Sequence, residues 1–487
     1  MKDKKRTVYF LKGLMLSVVL VVSALSCEKE VKVTQDNDLL QVSIERDLDD
    51  INKSGKLKAL IINSSTSYFL YKGKPMGYEY EMLKRLAHHL SLELDIIVSN
   101  NLDSIFKHLR RGDVDVIAHG LSITTDRKEL VNFTDYLYLT HQVLVQKKPD
   151  NWRSMGWASL QKSLIKDPIE LIGETISVRQ KSSYFKRIEN LSKEIGGAIY
   201  IDTIKGNYST DRIIEMVANG KIKYTIADDN LANINASYTP ILDVEVPISF
   251  SQRAAWAVRP NAPKLLKAVN EWIKKERKSL DYYVIYNKYF KNKRNFRKRI
   301  KSEFYSLNNN QISEYDDTIK ANATKLGWDW RLLASLIYQE SQFDPQASSW
   351  VGAGGLMQLM PATAAEMGLD NLYNPIENIH AGTEYLKQIY EDFETVPDSL
   401  QRIKFTLAAY NCGYYHVLDA QRLAVFKKYD KHQWDDHVEK MILELSYPEN
   451  YKKDFIKYGY VRGSEPYTYV RQIFQRYDHY QNFITPE

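Results

Sequence analysis

The pattern of apolar and polar positions divides the chain into two parts. Between about Leu57 and Arg259, short apolar runs typical of strands alternate with amphipathic helical patterns. The strand candidates read LKALIINS, LDIIVS, VDVIAHG, QVLVQ, TISVR, AIYI and YTIAD, and the clearest helix, YEYEMLKRLAHHL, lies between two of them. This alternation predicts α/β units with largely parallel sheets, and the span has room for two lobes.

The pattern changes to helical periods from about Pro263 onward. The first helical part ends in YNKYFKNKRNFRKRIKSEF, where eight Lys or Arg residues lie between Lys288 and Lys301. We expect this run to form a solvated helix and linker over residues 286–312, and the alternative is a surface that contacts an anionic polymer or lipid. From Ser313 to residue 487 the helical periods continue without a convincing strand pattern, which predicts an all-α second domain.

Length and composition agree with a globular chain of several parts. The 487 residues are too many for one ordinary core and predict roughly two to four folding units. Hydrophobic residues make up 44% and charged residues 26%, which is typical of a folded protein. The net charge of +6 is mild for this length, and it does not by itself indicate nucleic acid as a partner.

The first residues have the layout of a secretory signal. MKDKKR supplies positive charge, FLKGLMLSVVLVVSAL supplies an apolar stretch, and Ser26 follows a region of small residues. We therefore predict a signal peptide over residues 1–26 and export of the rest. The alternative is an uncleaved membrane anchor. Export makes nucleic acid an unexpected partner.

The letters ALSC, which end at Cys27, resemble the bacterial lipobox, with Ala24 in place of the usual leucine. The resemblance implies a lipid on Cys27, a polar tether over residues 27–54, and a body held to the cell envelope through this anchor. We expect the anchor to lie at the outer membrane, facing the periplasm. A disulfide between Cys27 and Cys412 is the alternative, since these are the two cysteines of the chain.

A carboxylate ends an apolar helical stripe in the second part of the chain. Asp329 can cap a helix whose inward positions include Leu336 and Ile337, and Glu340 continues the same stripe. Desolvation and the negative end of the helix dipole both favour the neutral carboxyl group, as a general acid requires. The alternative is a helix-end glutamate that pairs with a lysine or with Ser341.

Glycines and an amide follow Glu340. Gly352, Gly354 and Gly355 allow backbone to approach a ligand closely, and Gln358 supplies a donor and an acceptor for an amide or a sugar hydroxyl. The only nearby acid, Asp344, precedes a proline and is typical of a turn. No cluster has metal-ligand spacing, so we expect a reaction without metal or cofactor.

These residues carry a family resemblance. ESQFDPQASSWVGAGGLMQLMPATA, AYNCG and the late Glu-x-x-x-Tyr-Val element at Glu465 resemble the signatures of soluble-type lytic transglycosylases, relatives of goose-type lysozyme, with Cys412 replacing the usual small residue. The resemblance implies an all-α lysozyme-like domain over residues 313–487 with Glu340 as the catalytic acid/base. The residues implied to line the glycan groove are Ser341, Met357, Gln358, Tyr410, Asn411 and Tyr469. The alternative for Met357 and Tyr469 is that they only pack in the core. The alternative for Glu465 is that it only forms a salt bridge.

The same resemblance implies a mechanism with one acid. Glu340 would protonate the oxygen that links MurNAc to GlcNAc in peptidoglycan, and would then accept the proton of the MurNAc C6 hydroxyl as that hydroxyl attacks C1. The product would be a 1,6-anhydro sugar. A muramidase that uses water is one alternative. The other is a receptor that binds glycan or an amino acid without cleaving anything.

The first part carries a second resemblance. GYEYEMLKRLAHHL, RRGDVDVIAHGLSITTDRKELVNFTDYLY and GETISVRQKSSYF resemble periplasmic solute-binding proteins of the amino-acid type, which implies a two-lobed α/β domain over residues 55–285. Arg127 can pair with a ligand carboxylate and Asp228 with an ammonium group. The implied ligand residues are Ser122, Thr124, Arg127, Ser182, Ser183 and Asp228. Taken singly, each has an ordinary alternative as a surface ion pair, a helix cap or a turn acid.

Together the two parts resemble the membrane-bound lytic murein transglycosylase F family. The implied arrangement is a regulatory solute-binding domain, for a muropeptide or amino-acid ligand, in front of an enzyme that acts on peptidoglycan glycan strands. Regulation requires a ligand that prefers one of two domain arrangements.

Overall fold

The computed structural model describes residues 44–99, 104–180, 182–206 and 208–486. The predicted signal peptide, the lipidation candidate Cys27 and the first part of the tether lie outside these residues. In the described part of the chain, no helix is long and apolar enough to cross a membrane.

Twelve strands occupy the first part of the chain. They are β1 (Lys56–Ile62), β2 (Phe69–Tyr71), β3 (Lys74–Met76), β4 (Glu93–Ser99), β5 (Val116–Ser122), β6 (Asn132–Thr140), β7 (Gln142–Lys147), β8 (Thr175–Arg179), β9 (Tyr200–Ile204), β10 (Tyr224–Asp228), β11 (Leu242–Asp243) and β12 (Gln252–Val258).

The helices of this part are α1 (Leu48–Ser54), α2 (Tyr78–His89), α3 (Ile105–Arg111), α4 (Thr125–Lys128), α5 (Trp157–Lys162), α6 (Ser183–Glu194), α7 (Thr210–Ala218), α8 (Asp229–Tyr238), α9 (Pro263–Glu276), α10 (Leu280–Tyr286) and α11 (Lys293–Ile300). Short 3₁₀ turns at Trp152–Ser154 and Pro168–Leu171 and a π-helical turn at Asn287–Lys291 complete it.

The strands form two lobes whose sheets are mixed. The first lobe has the order β4-β1-β5-β12-β6, in which β1 is parallel to β4 and β5 and β12 is antiparallel to β5 and β6. The second lobe holds an antiparallel β10-β7-β11 sheet and a parallel β8–β9 pair. The expectation of largely parallel sheets therefore fails in part, because the chain enters the second lobe at β7 and returns through the antiparallel strand β12.

The basic run at residues 286–312 differs from the expected solvated linker. Its lysines and arginines are mostly exposed, but Tyr289, Phe296 and Tyr305 are at most 2% exposed. The Arg299 guanidinium lies 5.5 Å from the ring centre of Phe69, which belongs to the first lobe. Aromatic side chains spaced through the basic run pack it against the first lobe, so this segment is part of the folded body.

The last part of the chain is all-α, as predicted. Its helices are α12 (Asp316–Leu326), α13 (Trp330–Ser341), α14 (Pro361–Glu366), α15 (Pro375–Asp392), α16 (Ser399–Cys412), α17 (Tyr414–Phe426), α18 (Glu439–Glu444), α19 (Pro448–Tyr451) and α20 (Ser464–Phe483), with a π-helical turn at Trp434–Val438. Asp329 caps α13 and Asp398 caps α16, each by accepting a hydrogen bond from a backbone N–H group.

The two parts share a buried contact made by the β2–β3 hairpin. Leu70 on β2 belongs to the hydrophobic core of the all-α part. On α20, His479 bonds through Nδ1 to the Tyr68 hydroxyl, and the Tyr480 hydroxyl donates to the Gly73 carbonyl at 2.9 Å. Burial lowers the pKa of His479 to about 3, so its imidazole is neutral at neutral pH. His479 therefore takes part in the hairpin contact as a neutral side chain.

Candidate active site

Glu340 lies in the last turn of α13. The inward face of this helix is buried, since Leu332, Leu333, Leu336 and Ile337 are at most 3% exposed. The backbone turns into the left-handed region directly afterwards, at Gln342 and Phe343, with φ values of 53° and 64°. The helix therefore stops one turn after its buried stripe ends, and the carboxyl group sits at the edge of the core.

The Glu340 carboxyl group has one close polar partner. The Tyr469 hydroxyl on α20 donates a hydrogen bond to Glu340 Oε1. Burial raises the pKa of Glu340 to about 7, and the Tyr469 hydrogen bond opposes part of that rise. Among the described residues Glu340 has no salt bridge, and the Ser341 hydroxyl donates to the Ile337 carbonyl at 3.1 Å. The carboxyl group is thus poised between its neutral and charged forms near neutral pH.

The loop after Glu340 is held by an asparagine from α15. Asn378 accepts a hydrogen bond from Met357 N at 2.7 Å and donates to the Gly354 and Leu372 carbonyls at 3.1 and 2.9 Å. Gly355 has a φ of +79°, and a Cβ at this position would come within 2.1 Å of the Leu372 carbonyl oxygen. Only glycine fits the loop there.

Gln358 also braces this loop. Its backbone is left-handed, with a φ of 50°, and its side-chain Nε2 donates to the carbonyls of Ala347 and Gly355, each at 2.9 Å. The amide N–H groups expected to meet a sugar are therefore engaged inside the loop.

Two residues predicted to line the groove are buried instead. Met357 is 0% exposed, and its sulfur packs so closely on Gly382 that a Cβ there would lie 2.5 Å away. Ser341 is 7% exposed and bonds to its own helix. The structure differs from the prediction here because both side chains are buried. Met357 packs on α15 from the loop that follows Glu340, and Ser341 bonds to the helix that carries Glu340.

Other predicted groove residues lie around Glu340. Tyr410 on α16 donates to the Met357 carbonyl at 2.8 Å, and the Glu340 charge contributes to raising the pKa of Tyr410 above its usual value, after burial. Asn411 follows it and is exposed. Glu340, Tyr410 and Tyr469 thus form one cluster on three helices that lie far apart in sequence.

Cys412 is a free thiol at the end of α16. Burial raises the pKa of this thiol to about 12, so it stays protonated and unreactive at neutral pH. The alternative bridge to Cys27 falls outside the described residues. Over residues 44–99, 104–180, 182–206 and 208–486, no three His, Cys, Asp or Glu side chains are grouped so that they could hold a metal ion.

A second cleft lies between the two α/β lobes. Its volume is about 360 Å³, and it is lined by the predicted residues Ser122, Arg127, Ser182, Ser183 and Asp228. The sixth predicted residue, Thr124, does not line it. Its hydroxyl caps α4 by accepting from Arg127 N at 3.4 Å. The lobes therefore bring five of the six side chains together.

Burial shifts the pKa values of two ionisable side chains in this cleft, Arg127 and Asp228. Arg127 donates to the Ser122 carbonyl at 3.0 Å, and burial lowers the pKa of its guanidinium. Burial also raises the pKa of Asp228 to about 7, with help from the neighbouring charge of Asp229. Asp228 Oδ1 is buried and has no hydrogen-bond partner within the part of the chain that is described. An unpaired buried acceptor of this kind is costly unless a ligand supplies a donor.

Several cleft residues escaped the sequence analysis. Arg179 and His119 line the same cleft, while Glu79 and Tyr78 line an adjoining cavity of about 80 Å³ that shares Arg179 and His119 with it. Burial raises the pKa of Glu79 to about 7, and Trp256 Nε1 donates to its carboxyl group at 2.7 Å. Arg179 ends β8, and the ends of strands at a lobe boundary are the signal that would have pointed to it.

Comparisons with known proteins cover both parts of the chain. The family described as bacterial extracellular solute-binding proteins, family 3, matches residues 62–292, and the transglycosylase SLT domain matches residues 317–433. Membrane-bound lytic murein transglycosylase F of Desulfosudis oleivorans is 33% identical over 88% of this chain and 90% of the relative. The protein of the same name from Stutzerimonas stutzeri is 31% identical over 89% of this chain and 86% of the relative.

Solved structures that cover about half of this chain are also similar to it. A mutant of ArgBP from T. maritima is 24% identical, with a TM-score of 0.41, and the match covers 50% of this chain and 98% of that chain.

Proposed function

Because this chain belongs to the membrane-bound lytic murein transglycosylase F family, we propose that Glu340 is the acid/base with which it cleaves peptidoglycan. The chain is a lytic murein transglycosylase, and its substrate is the glycan of peptidoglycan. The observation that supports Glu340 is its half-buried carboxyl group at the edge of the core, whose pKa lies near 7 beside the Tyr469 hydroxyl. A group with that pKa can give a proton in one step and accept one in the next.

The proposed reaction uses this one carboxyl group twice. Glu340 first protonates the oxygen between MurNAc and GlcNAc, so that the C1–O bond breaks and C1 becomes electron-poor. The resulting carboxylate then takes the proton of the MurNAc C6 hydroxyl, and the C6 oxygen forms a bond to C1. Atoms balance without water, and the product carries a 1,6-anhydro ring. Hydrolysis by two carboxylates would need a second acid flanking the bond. In this structure Asp344 instead accepts from Gln346 N at 2.9 Å within a turn.

Product analysis tests the proposal. Purified peptidoglycan is incubated with the protein lacking residues 1–26, and the released muropeptides are identified by mass spectrometry. We expect fragments that end in anhydro-MurNAc, because the C6 hydroxyl is the nucleophile. Fragments that all end in reducing sugars would instead identify a muramidase that uses water. Retained binding to peptidoglycan without any release would support a receptor and contradict the proposal.

The cleft between the lobes is proposed to bind a regulatory ligand. Arg127 and Arg179 supply positive charge, and Asp228 Oδ1 is an acceptor without a hydrogen-bond partner among the described residues. A ligand with a carboxylate and an ammonium group satisfies both ends. An amino acid or a muropeptide has this chemistry.

One segment connects that cleft to Glu340. We call residues 63–78 the connecting hairpin. Asn63, Ser67 and Tyr78 line a small cavity that shares Arg179 and Asp228 with the cleft, and the tip of the hairpin at Gly73 reaches the all-α part. A Cβ on Gly73 would lie within 2.7 Å of Phe343 and 2.9 Å of Tyr338. These two aromatic residues stand three positions after and two positions before Glu340 in the chain.

The second lobe holds the connecting hairpin as well. The Asp211 carboxylate, at the start of α7, accepts hydrogen bonds from Ser65 N at 3.1 Å and from Ser65 Oγ at 2.6 Å. Movement of the second lobe would therefore displace the hairpin. The hairpin would in turn displace Tyr338 and Phe343, which lie on either side of Glu340 in the chain. We propose that ligand closure changes the rate of glycan cleavage by this route.

A ligand screen checks this regulation. Free amino acids and the peptidoglycan stem tetrapeptide are tested for a rise in the melting temperature of the protein. We expect a stabilising ligand whose affinity falls about 30-fold in Arg127→Ala, because losing one partner of a buried charge pair costs about 2 kcal/mol or more. Arg111→Ala is the matched control, since Arg111 is exposed on α3. If no stabilising ligand changes the rate of glycan cleavage, the proposed regulation is contradicted.

The chain is associated with the cell envelope, as the name of its relatives states. We further propose that a lipid on Cys27 anchors it to the outer membrane with its body in the periplasm. This rests on the sequence around Cys27. Metabolic labelling with a fatty acid, compared with Cys27→Ala, distinguishes a lipid anchor from an uncleaved signal.

A further inference from the structure

Four aromatic side chains, three of them exposed and Phe455 half-buried, pack in two pairs on the surface of the all-α part. Two belong to α17 and two to the loop at residues 452–463. Tyr415 stacks on Tyr458 with ring centres 4.5 Å apart and an angle of 19°, and Phe426 packs on Phe455 at 4.9 Å and 33°. We call these four residues the aromatic face. Tyr415, Tyr458 and Phe426 remain 54%, 47% and 57% exposed.

Helix geometry places the two aromatic pairs on the same side of α17. Tyr415 and Phe426 are separated by 11 residues, which turns the helix by about three full turns and returns the side chains to within about 20° of one direction. The same spacing places them about 16 Å apart along the helix. The loop runs beside α17 in the opposite direction, because Phe455 meets the end of the helix and Tyr458 meets its start.

The loop is fixed in this position by a buried charge. Asp419 on α17 is 0% exposed, and its carboxylate accepts hydrogen bonds from Lys457 N at 3.0 Å and from Tyr458 N at 2.6 Å. Arg422 pairs with the same carboxylate from the surface side. A buried carboxylate thus holds Tyr458 against Tyr415, although both side chains stay about half exposed.

We propose that the aromatic face binds the peptidoglycan glycan strand beyond the bond that is cleaved, and this rests on the proposed function. The aromatic face begins close in sequence to the predicted groove residues, since Tyr415 follows Asn411 by four residues and α17 begins two residues after α16 ends. Sugar rings present apolar C–H faces with hydroxyls at their edges. Tyrosines match this surface, because each has a flat apolar ring and a polar tip.

The charges around the aromatic face fit the same occupant. Lys453 Nζ lies 4.9 Å from the ring centre of Phe426, and Lys457 is exposed beside Tyr458. The stem peptides of peptidoglycan carry carboxylates at intervals along the strand. Cations interleaved with aromatic rings can therefore bind the stems while the rings bind the sugars.

Binding to intact peptidoglycan tests the aromatic face without requiring cleavage. The full mature chain carrying Glu340→Gln is sedimented with insoluble sacculi, alone and with Tyr415→Ala and Tyr458→Ala added. We expect the double substitution to weaken binding about tenfold, because exposed aromatic side chains that meet a ligand dominate its affinity. Phe substitutions at both positions should restore binding to within about twofold of the parent, since they keep the rings. Tyr283→Ala is the matched control, because Tyr283 is 54% exposed on α10 in the other part.

Kinetics separate strand binding from a structural role. With Glu340 intact, the double substitution should raise KM for long glycan strands about tenfold and leave kcat within about twofold. Unchanged sedimentation, an equal loss in the Tyr283→Ala control, or a dimer in solution that the double substitution dissociates would each overturn the proposal. If the proposed function is wrong, the unsubstituted protein releases no muropeptides. The sedimentation comparison can still be interpreted in that case, because it does not depend on cleavage.

Discussion

Replacing Glu340 by glutamine should lower kcat/KM on peptidoglycan by about a thousandfold or more. An amide has the shape of the carboxyl group but cannot give a proton to the leaving oxygen, and general acid catalysis contributes about 10²- to 10⁴-fold. The effect should reach the upper part of that range because, in the proposed reaction, this one group serves both proton transfers. The Tyr469 hydroxyl can still donate to the glutamine oxygen, so the fold should be retained.

The pH dependence of the unsubstituted protein checks the role of Glu340 independently. The pKa of Glu340 is about 7, and the acid form is required in the first step, so kcat/KM should fall as pH rises through 7. Tyr469→Phe removes a hydrogen bond that favours the carboxylate, which raises the pKa and moves the fall to higher pH by about one pH unit. A fall in activity that stays at the same pH in Tyr469→Phe would contradict this assignment.

Gly355→Ala should disrupt the loop that follows Glu340 and abolish most activity. An alanine there would hold a left-handed backbone and place its methyl group 2.1 Å from the Leu372 carbonyl oxygen and 2.3 Å from Asn378 Nδ2. The Asn378 hydrogen bonds that secure the loop would have to break. We expect a loss of about 3 kcal/mol in the free energy of unfolding, which combines backbone strain with lost buried hydrogen bonds.

Gly352→Ala is the control for the steric part of this effect. Gly352 also has a positive φ, of 88°, yet a Cβ there meets no atom within 4 Å. Its substitution should cost only about 1 kcal/mol from backbone strain. Denaturant unfolding of both variants measures the difference. Equal losses would show that the contact with Leu372 does not decide which glycine the loop needs.

The sequence predicted the fold class and the candidate acid because both depend on local patterns. The period of apolar residues in α13 placed Glu340 at the end of a buried stripe, and alternating strands and helices indicated the two lobes. The direction of β12 was not predictable, since antiparallel pairing with β5 depends on how the chain returns from the second lobe.

The side chains that support the site were harder to predict than the site itself. Met357 and Gln358 are neighbours in one loop, but only the structure shows that Met357 faces Gly382 in the core while Gln358 bonds to the loop backbone. Arg179 was missed because a single arginine at a strand end carries no periodic signal. The contact of Gly73 with Phe343 joins residues far apart in sequence, and no local pattern encodes it.

The connecting hairpin has a consequence for how this chain can be divided. Leu70 fills the core of the all-α part, and Tyr68 packs on Phe483 with ring centres 4.7 Å apart. A fragment that begins at residue 313 would retain Glu340. It would lose Leu70 from its hydrophobic core, and the aromatic side chains of α20 that pack on the hairpin would be exposed to water. The solute-binding part therefore also acts as a scaffold for the enzyme. A gene fusion that replaces the solute-binding part with another domain would have to retain the connecting hairpin.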